Sequence, residues 1–331
     1  MMINSVDNIL KCIEENEVFL VTSHISPDGD NLGSTLATYF ALKRLGKKVF
    51  YVLDDTIPLN MNFLVDGVEK LSSQDFKQTD YVVVSLDCGD KNRICIEETL
   101  IEGAKVLITI DHHASNKGYG DINFIDTEAS STCELVYRLL NRYKKLNGIN
   151  LIDQKIATSL YTGLVTDTGN FSYTNADEDS FEIARNLIMM GAQKDEIIIN
   201  VYQSNSFSYY KLLGEALNTL EVFESQVACI TLTNEMLDRN EISYNDVDGI
   251  TTYTRDIDGI NIGILFKQRN EYEVKVSLRS KNDTDVSKIA QVFGGGGHTK
   301  AAGCTILDTI ENAKKKVLDV VLNTLQGETN G

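Results

Sequence analysis

The chain has 331 residues, of which 42% are hydrophobic and 24% charged, and its formal net charge is −17. This length favours two domains, and these fractions are typical of a soluble globular protein. The strong negative charge argues against a general grip on long duplex nucleic acid, which needs a basic surface.

The sequence shows no targeting or membrane segment. Residues 1–17 lack the basic region and apolar run of a secretory signal, and no apolar run approaches the length of a membrane span. The six cysteines, at positions 12, 88, 95, 133, 229 and 304, are scattered and form no C-x-x-C pair. Scattered cysteines favour a reducing compartment, so we expect a cytoplasmic protein that does not associate with a membrane.

Four apolar runs predict the strands of a parallel sheet. They cover residues 17–23, 48–54, 80–87 and 104–111, and helical patterns alternate with them. Such near-continuous apolar runs are typical of a parallel sheet with helices on both faces. Further along, Ser131 and Glu134 predict a capping box at the start of a helix. The fold class expected for this part of the chain is therefore α/β.

The second part of the chain has a different pattern. Residues 177–222 look helical and polar, whereas longer extended runs begin near residue 221. We predict an N-terminal catalytic domain over 1–190, a helical connector over 191–220 and a smaller α+β domain over 221–331.

Acids and histidines follow three of the four predicted strands. They are His24, Asp28 and Asp30 after the first strand, Asp87 at the end of the third, and Asp111, His112 and His113 after the fourth. Ligands bind beyond the carboxyl ends of parallel strands, so these side chains are expected at one edge. Asp167 ends a predicted helix that could lean over the same edge. The chain has only four histidines, and three of them are here.

So many carboxylates at one edge would repel one another unless cations lay between them. Mixed carboxylate and imidazole ligands suit Mn²⁺, Zn²⁺ or Fe²⁺ better than Ca²⁺, and their number suits two ions. Two neighbouring metals are a recurrent device for hydrolysing phosphate esters. Taken singly, Asp87 is a common cap or turn former, and adjacent histidines on a strand point to opposite sides. Their combination favours a metal site.

A run of four glycines precedes the fourth histidine. Gly294, Gly295, Gly296 and Gly297 are followed by His298. The run is not a Walker A loop, because no G-K-[ST] closes it. It is either a flexible loop or a segment whose backbone amides approach a phosphate closely.

These motifs together resemble those of the DHH phosphoesterases, in the nanoRNase and pAp-phosphatase branch that carries the DHH-associated C-terminal domain. The matching segments are HISPDGDNLGS (24–34), SLDCGD (85–90), DHHAS (111–115), LVTDTGNF (164–171), SLRS (277–280) and FGGGGHTKAAG (293–303). They span almost the whole chain in the order typical of the family.

The resemblance implies two Mn²⁺ ions per chain, with one carboxylate shared between them. The ligands implied for one ion are His24, Asp28 and Asp87, and those implied for the other are Asp30, Asp87, His112 and Asp167. The resemblance also implies that His113 faces the substrate phosphate. Asp111 would orient the imidazoles from behind the ligands.

Substrate contacts are implied for a second set of residues. In the family, Arg279, His298 and the glycine loop Gly294–Gly297 close over the distal phosphate or nucleotide. The alternative for Arg279 is a solvated residue at a strand edge with no contact to the substrate. Ser131 and Thr132 lie at a helix start that the family places near the substrate, although both are most simply caps. Arg93 is a further candidate for a phosphate contact.

The resemblance implies a cytoplasmic, Mn²⁺-dependent phosphoesterase that degrades short oligoribonucleotides (nanoRNA) to 5′-mononucleotides and acts on 3′-phosphoadenosine 5′-phosphate. The expected partners are short single-stranded oligoribonucleotides and small nucleotides, not long duplexes, and homodimers are common in the family. Two alternatives stay open. One is a cyclic-di-AMP or linear-dinucleotide phosphodiesterase, and the other is a non-catalytic module that binds nucleotide or metal.

Overall fold

The computed structural model describes residues 2–329, without the side chains at positions 2–4, 245, 246, 248, 298, 328 and 329. The chain forms two compact units, one up to Ser204 and one from Asn205. All six cysteines are buried free thiols. Within the described residues, no helix combines the length and the apolar character that crossing a membrane requires.

A six-stranded parallel sheet forms the centre of the first unit. Its strands are β1 (Val18–Thr22), β2 (Lys48–Val52), β3 (Lys70–Leu71), β4 (Val82–Leu86), β5 (Val106–Asp111) and β6 (Ile122–Ile125). Their order across the sheet is β3-β2-β1-β4-β5-β6, and all neighbours are parallel. β1, β2, β4 and β5 lie within the four predicted apolar runs, so the predicted α/β class is confirmed.

Helices cover the two faces of this sheet unequally. The helices of the first unit are α1 (Met2–Glu15), α2 (Gly29–Arg44), α3 (Glu98–Glu102), α4 (Thr132–Asn147), α5 (Gln154–Asp167), α6 (Glu178–Met189) and α7 (Lys194–Tyr202). Successive residues of β1 point to opposite faces. Phe19 and Val21 pack against α1, α2, α4 and α5, whereas Leu20 packs on the other face among loop residues and α3. The predicted helices on both faces are present, but among the residues that the structure describes the second face has the short α3 alone.

Two glycines allow α2, α4 and α5 to cross closely. A Cβ atom added at Gly163 in α5 would lie 2.3 Å from Cys133 Sγ and 2.5 Å from Asp30 Oδ1. A Cβ atom at Gly33 in α2 would lie 2.4 Å from the backbone oxygen of Ser159. Only residues without a side chain fit at these two positions. The crossing places the first turn of α2 beside the start of α4.

The second unit contains a separate six-stranded sheet that is mostly antiparallel. Its strands are β7 (Glu221–Phe223), β8 (Val227–Leu232), β9 (Ile262–Asn270), β10 (Glu273–Ser280), β11 (Gly296–His298) and β12 (Ala301–Ile306). Their order is β11-β12-β10-β9-β8-β7, and only β8 and β9 pair in parallel. The predicted smaller α+β domain is thus confirmed as a fold class.

Helices also pack on both faces of the second sheet. They are α8 (Phe207–Leu217), α9 (Asn234–Asn240), α10 (Thr251–Arg255), α11 (Val286–Val292) and α12 (Ile310–Thr329). Ile264 and Phe266 of β9 pack with α11 and α12, while Leu265 between them packs with α8 and α9. The predicted connector 191–220 comprises α7, which packs in the first unit, and α8, which packs in the second. The domain boundaries stay a prediction.

Part of the glycine run forms a strand, whereas a flexible loop is one of the two interpretations that the sequence leaves open. Gly296–His298 pairs with β12 as the edge strand β11. A Cβ atom at Gly297 would lie 2.5 Å from the backbone oxygen of Ala301, and Gly297 has a φ of 146°. The missing side chain therefore lets the two backbones approach closely enough to pair, which apolar periodicity does not reveal.

The helix crossing generates a stability prediction. Gly163→Ala should lower the free energy of unfolding by about 1–3 kcal/mol, because a methyl group there overlaps Cys133 and Asp30. Gly214→Ala is the matched control, since Gly214 lies within α8 and an added Cβ there has no atom within 4 Å. The control should be neutral or stabilising, by up to about 1 kcal/mol. Urea unfolding of both variants measures this, and equal stabilities of the two would contradict the crossing.

Candidate active site

The predicted acids and histidines meet at the switch point of the first sheet. The chain passes from β1 to β2, which lies on one side of β1. The strand on the other side of β1 is β4, and the order continues from there through β5 to β6 at the opposite edge. At such a point the loops after two adjacent strands diverge and leave a crevice. Three groups of potential metal donors lie here, each with ligand atoms within 4.8 Å of one another. They are His24, Asp28 and Asp87; Asp30, His112 and Asp167; and Asp87, His112 and His113.

The first group lies between the loop after β1 and the end of β4. Nε2 of His24 is 3.4 Å from Asp87 Oδ2 and 3.8 Å from Asp28 Oδ2. Nδ1 of His24 lies 2.7 Å from the backbone oxygen of Ile25. A carbonyl at Nδ1 holds the ring in the tautomer that presents Nε2 as a ligand. The loop itself is held by Asp55, whose Oδ2 accepts a 2.7 Å hydrogen bond from the amide of Ser26.

The second group gathers around His112. Nε2 of His112 is 3.1 Å from Asp167 Oδ2 and 4.0 Å from Asp30 Oδ2. Its Nδ1 is 3.2 Å from the backbone oxygen of Ala129. This is the same arrangement as in His24, with a carbonyl behind the ring and Nε2 directed at carboxylates.

The N-terminus of α4 anchors Asp30. Both carboxylate oxygens of Asp30 accept backbone hydrogen bonds, from the amide of Thr132 at 2.6 Å and from that of Cys133 at 2.9 Å. Unpaired amides and the positive end of the helix dipole favour an anion at this position. Ser131 caps the same helix by accepting from the amide of Glu134. The sequence pattern predicts the cap but not that the helix start also binds a carboxylate.

Asp87 lies between the two groups in an uncommon backbone conformation. Its φ is 54°, in the left-handed region, which costs most non-glycine residues energy and which Asp and Asn tolerate better than others. One oxygen, Oδ1, accepts a 3.0 Å hydrogen bond from the hydroxyl of Thr132 and is 3.8 Å from His112 Nε2. The other, Oδ2, faces His24. The carboxylate therefore addresses both groups at once.

The electrostatics of the cluster call for added positive charge. Burial raises the pKa of Asp30 well above its ordinary value, and the charges of Asp87 and Asp167 raise it further. Burial alone would lower the pKa of His112, but its hydrogen bond to Asp167 and the surrounding carboxylates raise it to about 10. Protons thus compensate the acids when no cation does. The donor set, carboxylates with imidazole, fits divalent ions such as Mn²⁺, whose binding would displace that proton.

His113 differs from His112 in what lies behind its ring. Its Nδ1 is 2.8 Å from Asp111 Oδ1, a buried carboxylate, rather than from a carbonyl. Burial alone would lower the pKa of His113, but the hydrogen bond to Asp111 and the nearby charge of Asp87 outweigh this and raise it. Asp111 therefore supports the ring of His113, and its implied role in orienting the second imidazole stays a prediction.

Ser131, Thr132 and Arg93 are also found at this edge. Ser131 and Thr132 are fully buried and their hydroxyls are used inside the first unit, by the helix cap and by Asp87 respectively. Arg93 is exposed, and its backbone oxygen accepts a 2.9 Å hydrogen bond from the amide of Ile25, beside His24. Contacts of these residues with a substrate stay a prediction.

The other predicted substrate residues lie in the second unit. Arg279 on β10 lies opposite Ala301 on β12, which in turn lies opposite His298 on β11. The backbones of Arg279 and His298 therefore occupy one row across the sheet, while the side chain of His298 lies outside the described residues. Arg279 is half-buried, and its Nη1 donates to the backbone oxygen of Leu278 at 3.0 Å. Added Cβ atoms at Gly294 and Gly296 would have no neighbour within 4 Å.

Comparison with known proteins agrees with this architecture. Residues 18–164 match the DHH family, N-terminal domain, and residues 225–327 match the DHHA1 domain. The chain is 31% identical to the bifunctional oligoribonuclease and PAP phosphatase NrnA of Thermus thermophilus, over 97% of this chain and 93% of that protein. It is 26% identical to the protein of the same name from Bacillus subtilis, over 90% and 92% of the two chains.

A solved structure shows the same fold over nearly the full length. The exopolyphosphatase-related protein of Bacteroides fragilis superposes with a TM-score of 0.87 at 28% identity, covering 98% of this chain and 96% of that one. The parallel sheet, its acidic edge and these relatives define a hydrolase of phosphoester bonds. The chain belongs to the DHH family and carries a DHHA1 domain, as its motifs predict.

The position of Asp87 between the two groups generates a prediction about metal content. Asp87→Asn keeps a residue type that tolerates the left-handed backbone but removes the shared charge. We expect this variant, like Asp87→Ala, to bind fewer Mn²⁺ ions per chain than the wild type and to lose hydrolysis. Metal analysis after dialysis and isothermal titration with Mn²⁺ measure the effect.

The matched control is Asp54→Asn. Asp54 also follows a strand of the first sheet, but its carboxylate accepts hydrogen bonds from Ser73 and is outside the three donor groups. The Asp54→Asn variant should bind Mn²⁺ as the wild type does. An unchanged ion count in Asp87→Asn would show that this carboxylate is not shared between metals.

Proposed function

We propose that the protein is a Mn²⁺-dependent phosphoesterase that degrades short oligoribonucleotides to 5′-mononucleotides and also hydrolyses 3′-phosphoadenosine 5′-phosphate. The observation that carries the proposal is the shared position of Asp87 between two donor groups at the sheet edge. Relatives of similar length, named for these two activities, support the choice of substrate. We further propose that the protein acts in the cytoplasm.

From these donor groups we infer ligands for two ions. His24, Asp28 and Asp87 would hold one, and Asp30, Asp87, His112 and Asp167 the other. Bound divalent ions would neutralise charge on the phosphate and lower the pKa of a water molecule. The protein's part is to hold these ligands rigidly. Asp30 on the α4 amides and Asp87 on the Thr132 hydroxyl serve this purpose.

His113 is the proposed proton donor. In hydrolysis the bond from phosphorus to the leaving oxygen breaks, a water oxygen takes its place, and the leaving oxygen must gain a proton. Asp111 at Nδ1 favours the protonated imidazole, which then carries a proton on Nε2. The side chain of His113 is also more exposed, at 25%, than that of Asp87, at 2%.

The charge balance supports a short substrate. Residues 221–331 contain 12 Lys and Arg against 17 Asp and Glu, and this excess of acids disfavours a broad basic surface in this part of the chain. A protein that tracks a long strand needs a positively charged groove. Affinity would therefore depend on the metals and on a few local donors, for which Arg279, His298 and the amides of Gly294–Gly297 are proposed.

A substrate panel with Mn²⁺ tests the function directly. We expect turnover of the diadenylate pApA, of oligoribonucleotides of up to about five residues and of 3′-phosphoadenosine 5′-phosphate. Cyclic di-AMP in the same panel tests the alternative phosphodiesterase. Binding of these nucleotides without hydrolysis of any of them, including a chromogenic phosphodiester, would instead identify a non-catalytic module.

The contrast between the two adjacent histidines generates a second prediction. His113→Ala should retain Mn²⁺ while kcat on pApA falls by roughly 100-fold or more, as for loss of a proton donor. His112→Ala should instead weaken binding of one ion, because it removes a proposed ligand. Titration with Mn²⁺ and steady-state kinetics on both variants measure this. Loss of both ions in His113→Ala would refute the separate roles.

The proposed phosphate clamp, which consists of Arg279, His298 and the amides of Gly294–Gly297, generates a third prediction. Arg279→Ala should raise KM for short oligoribonucleotides by roughly 10-fold or more, since a charge-assisted hydrogen bond contributes about 1.5–3 kcal/mol. Metal content should not change, and a small chromogenic phosphodiester without a distal phosphate should be affected much less. Activity of the wild type should also fall steeply as chains lengthen to about twenty nucleotides.

Arg269→Ala is the matched control for this clamp. Arg269 lies on β9 of the same sheet, is exposed and pairs with Glu273 at 2.9 Å, away from the Arg279 row. Its replacement should leave KM unchanged for every substrate. Equal wild-type rates at all lengths, or the same loss on every substrate in Arg279→Ala, would contradict the clamp.

A further inference from the structure

Asn116, five residues beyond Asp111, has a buried side chain that connects the ends of two strands. Its Nδ2 donates to Asp111 Oδ2 at 2.7 Å and to the backbone oxygen of Cys88 at 3.2 Å. Its Oδ1 accepts from the amide of Gly118 at 2.8 Å. The amide of this side chain therefore cannot rotate without losing one of three partners.

The bond to Asp111 completes the hydrogen bonding of that carboxylate. Oδ1 of Asp111 faces His113 Nδ1 at 2.8 Å and accepts from the His113 amide at 3.3 Å, while Oδ2 accepts from Asn116. Asp111 is fully buried, so without Asn116 its Oδ2 would lose the hydrogen bond that this structure shows for it. The carboxylate would then rotate and carry the His113 ring with it.

We propose that Asn116 is a positioning residue for the phosphoesterase reaction. It sets the plane of the Asp111 carboxylate, and this carboxylate in turn sets the ring of His113 towards the leaving oxygen. The inference rests on the proposed role of His113 as proton donor. Interactions behind a functional side chain commonly change activity by about 10- to 100-fold when they are removed.

A purely structural role must be distinguished from this one. Asn116 also holds the backbone after Asp87 through the oxygen of Cys88, but the hydroxyl of Tyr119 donates to the same oxygen at 2.8 Å. Tyr119→Phe removes that second donor, together with the 3.1 Å contact of the same hydroxyl with Ser85 Oγ, and leaves the hydrogen bonds of Asp111 in place. It is therefore the matched control for the contact with Cys88, whereas Asn116→Ala removes that contact together with those to Asp111 and to the Gly118 amide.

The first experiment compares leaving groups. Asn116→Ala should lower kcat on pApA by roughly 10-fold or more, with KM and Mn²⁺ affinity as in the wild type. A chromogenic diester that releases nitrophenolate needs little help from a proton donor, so its kcat should fall by less than about threefold. Tyr119→Phe should leave both rates close to the wild type. An equal loss on both substrates, or a loss of Mn²⁺, would show that Asn116 only supports the fold.

The second experiment does not depend on turnover. In the full-length protein with ¹⁵N-labelled histidine, and with diamagnetic Mg²⁺ in place of paramagnetic Mn²⁺, the Nδ1 proton between His113 and Asp111 should give a downfield NMR signal, assigned through its absence in His113→Ala. Asn116→Ala should shift or broaden this signal, and Tyr119→Phe should not. An unchanged signal in Asn116→Ala overturns the positioning role. Failure of the wild type to hydrolyse pApA would refute the proposed substrate while this spectrum still tests Asn116.

Discussion

Repulsion between carboxylates at the edge of the first sheet is the constraint on which the other features of that unit depend. Asp30 and Asp87 are buried side by side, and burial raises the pKa of Asp30 well above its ordinary value. The fold offsets part of this cost with fixed dipoles, since α4 directs two backbone amides at Asp30 and the Thr132 hydroxyl at Asp87. Such dipoles cannot neutralise the whole cluster. The charge that remains favours a bound cation at this edge, because a cation relieves the repulsion between carboxylates that the fold already holds in place.

The geometry that brings these acids together has structural requirements of its own. α2 carries Asp30 and α5 ends at Asp167, and the two helices reach the same edge because Gly163 lets them cross closely. Asp87 adopts a left-handed backbone, with φ of 54°, at the end of β4. Uncommon conformations of this kind persist where the surrounding structure holds them, often at functional sites. The donor groups thus depend on packing and backbone strain as well as on the identity of their side chains.

Whether the sequence predicts a feature of the fold or of the site depends on how far apart in the chain the interacting residues are. β1, β4 and β5 are predictable because burial on both faces makes each strand a continuous apolar run. Their terminal acids are predictable as neighbours because parallel strands share a carboxyl edge. The hydrogen bonds from the Thr132 and Cys133 amides to Asp30 are not predictable, because donor and acceptor are about a hundred residues apart in the chain and leave no local pattern. Asp54 shows that a position after a strand is not sufficient, because its carboxylate accepts hydrogen bonds from Ser73 instead.

The two adjacent histidines are the residues to which we assign two different proposed roles. The rings of His112 and His113, which follow the end of β5, are in contact and inclined by 71°, with centroids 4.8 Å apart. Each ring has a different partner at Nδ1. A neutral carbonyl, Ala129 O, supports a neutral imidazole, the form that binds a metal, whereas the Asp111 carboxylate stabilises a protonated one. We therefore expect the partner behind the ring, rather than the residue type, to separate the proposed metal ligand His112 from the proposed proton donor His113.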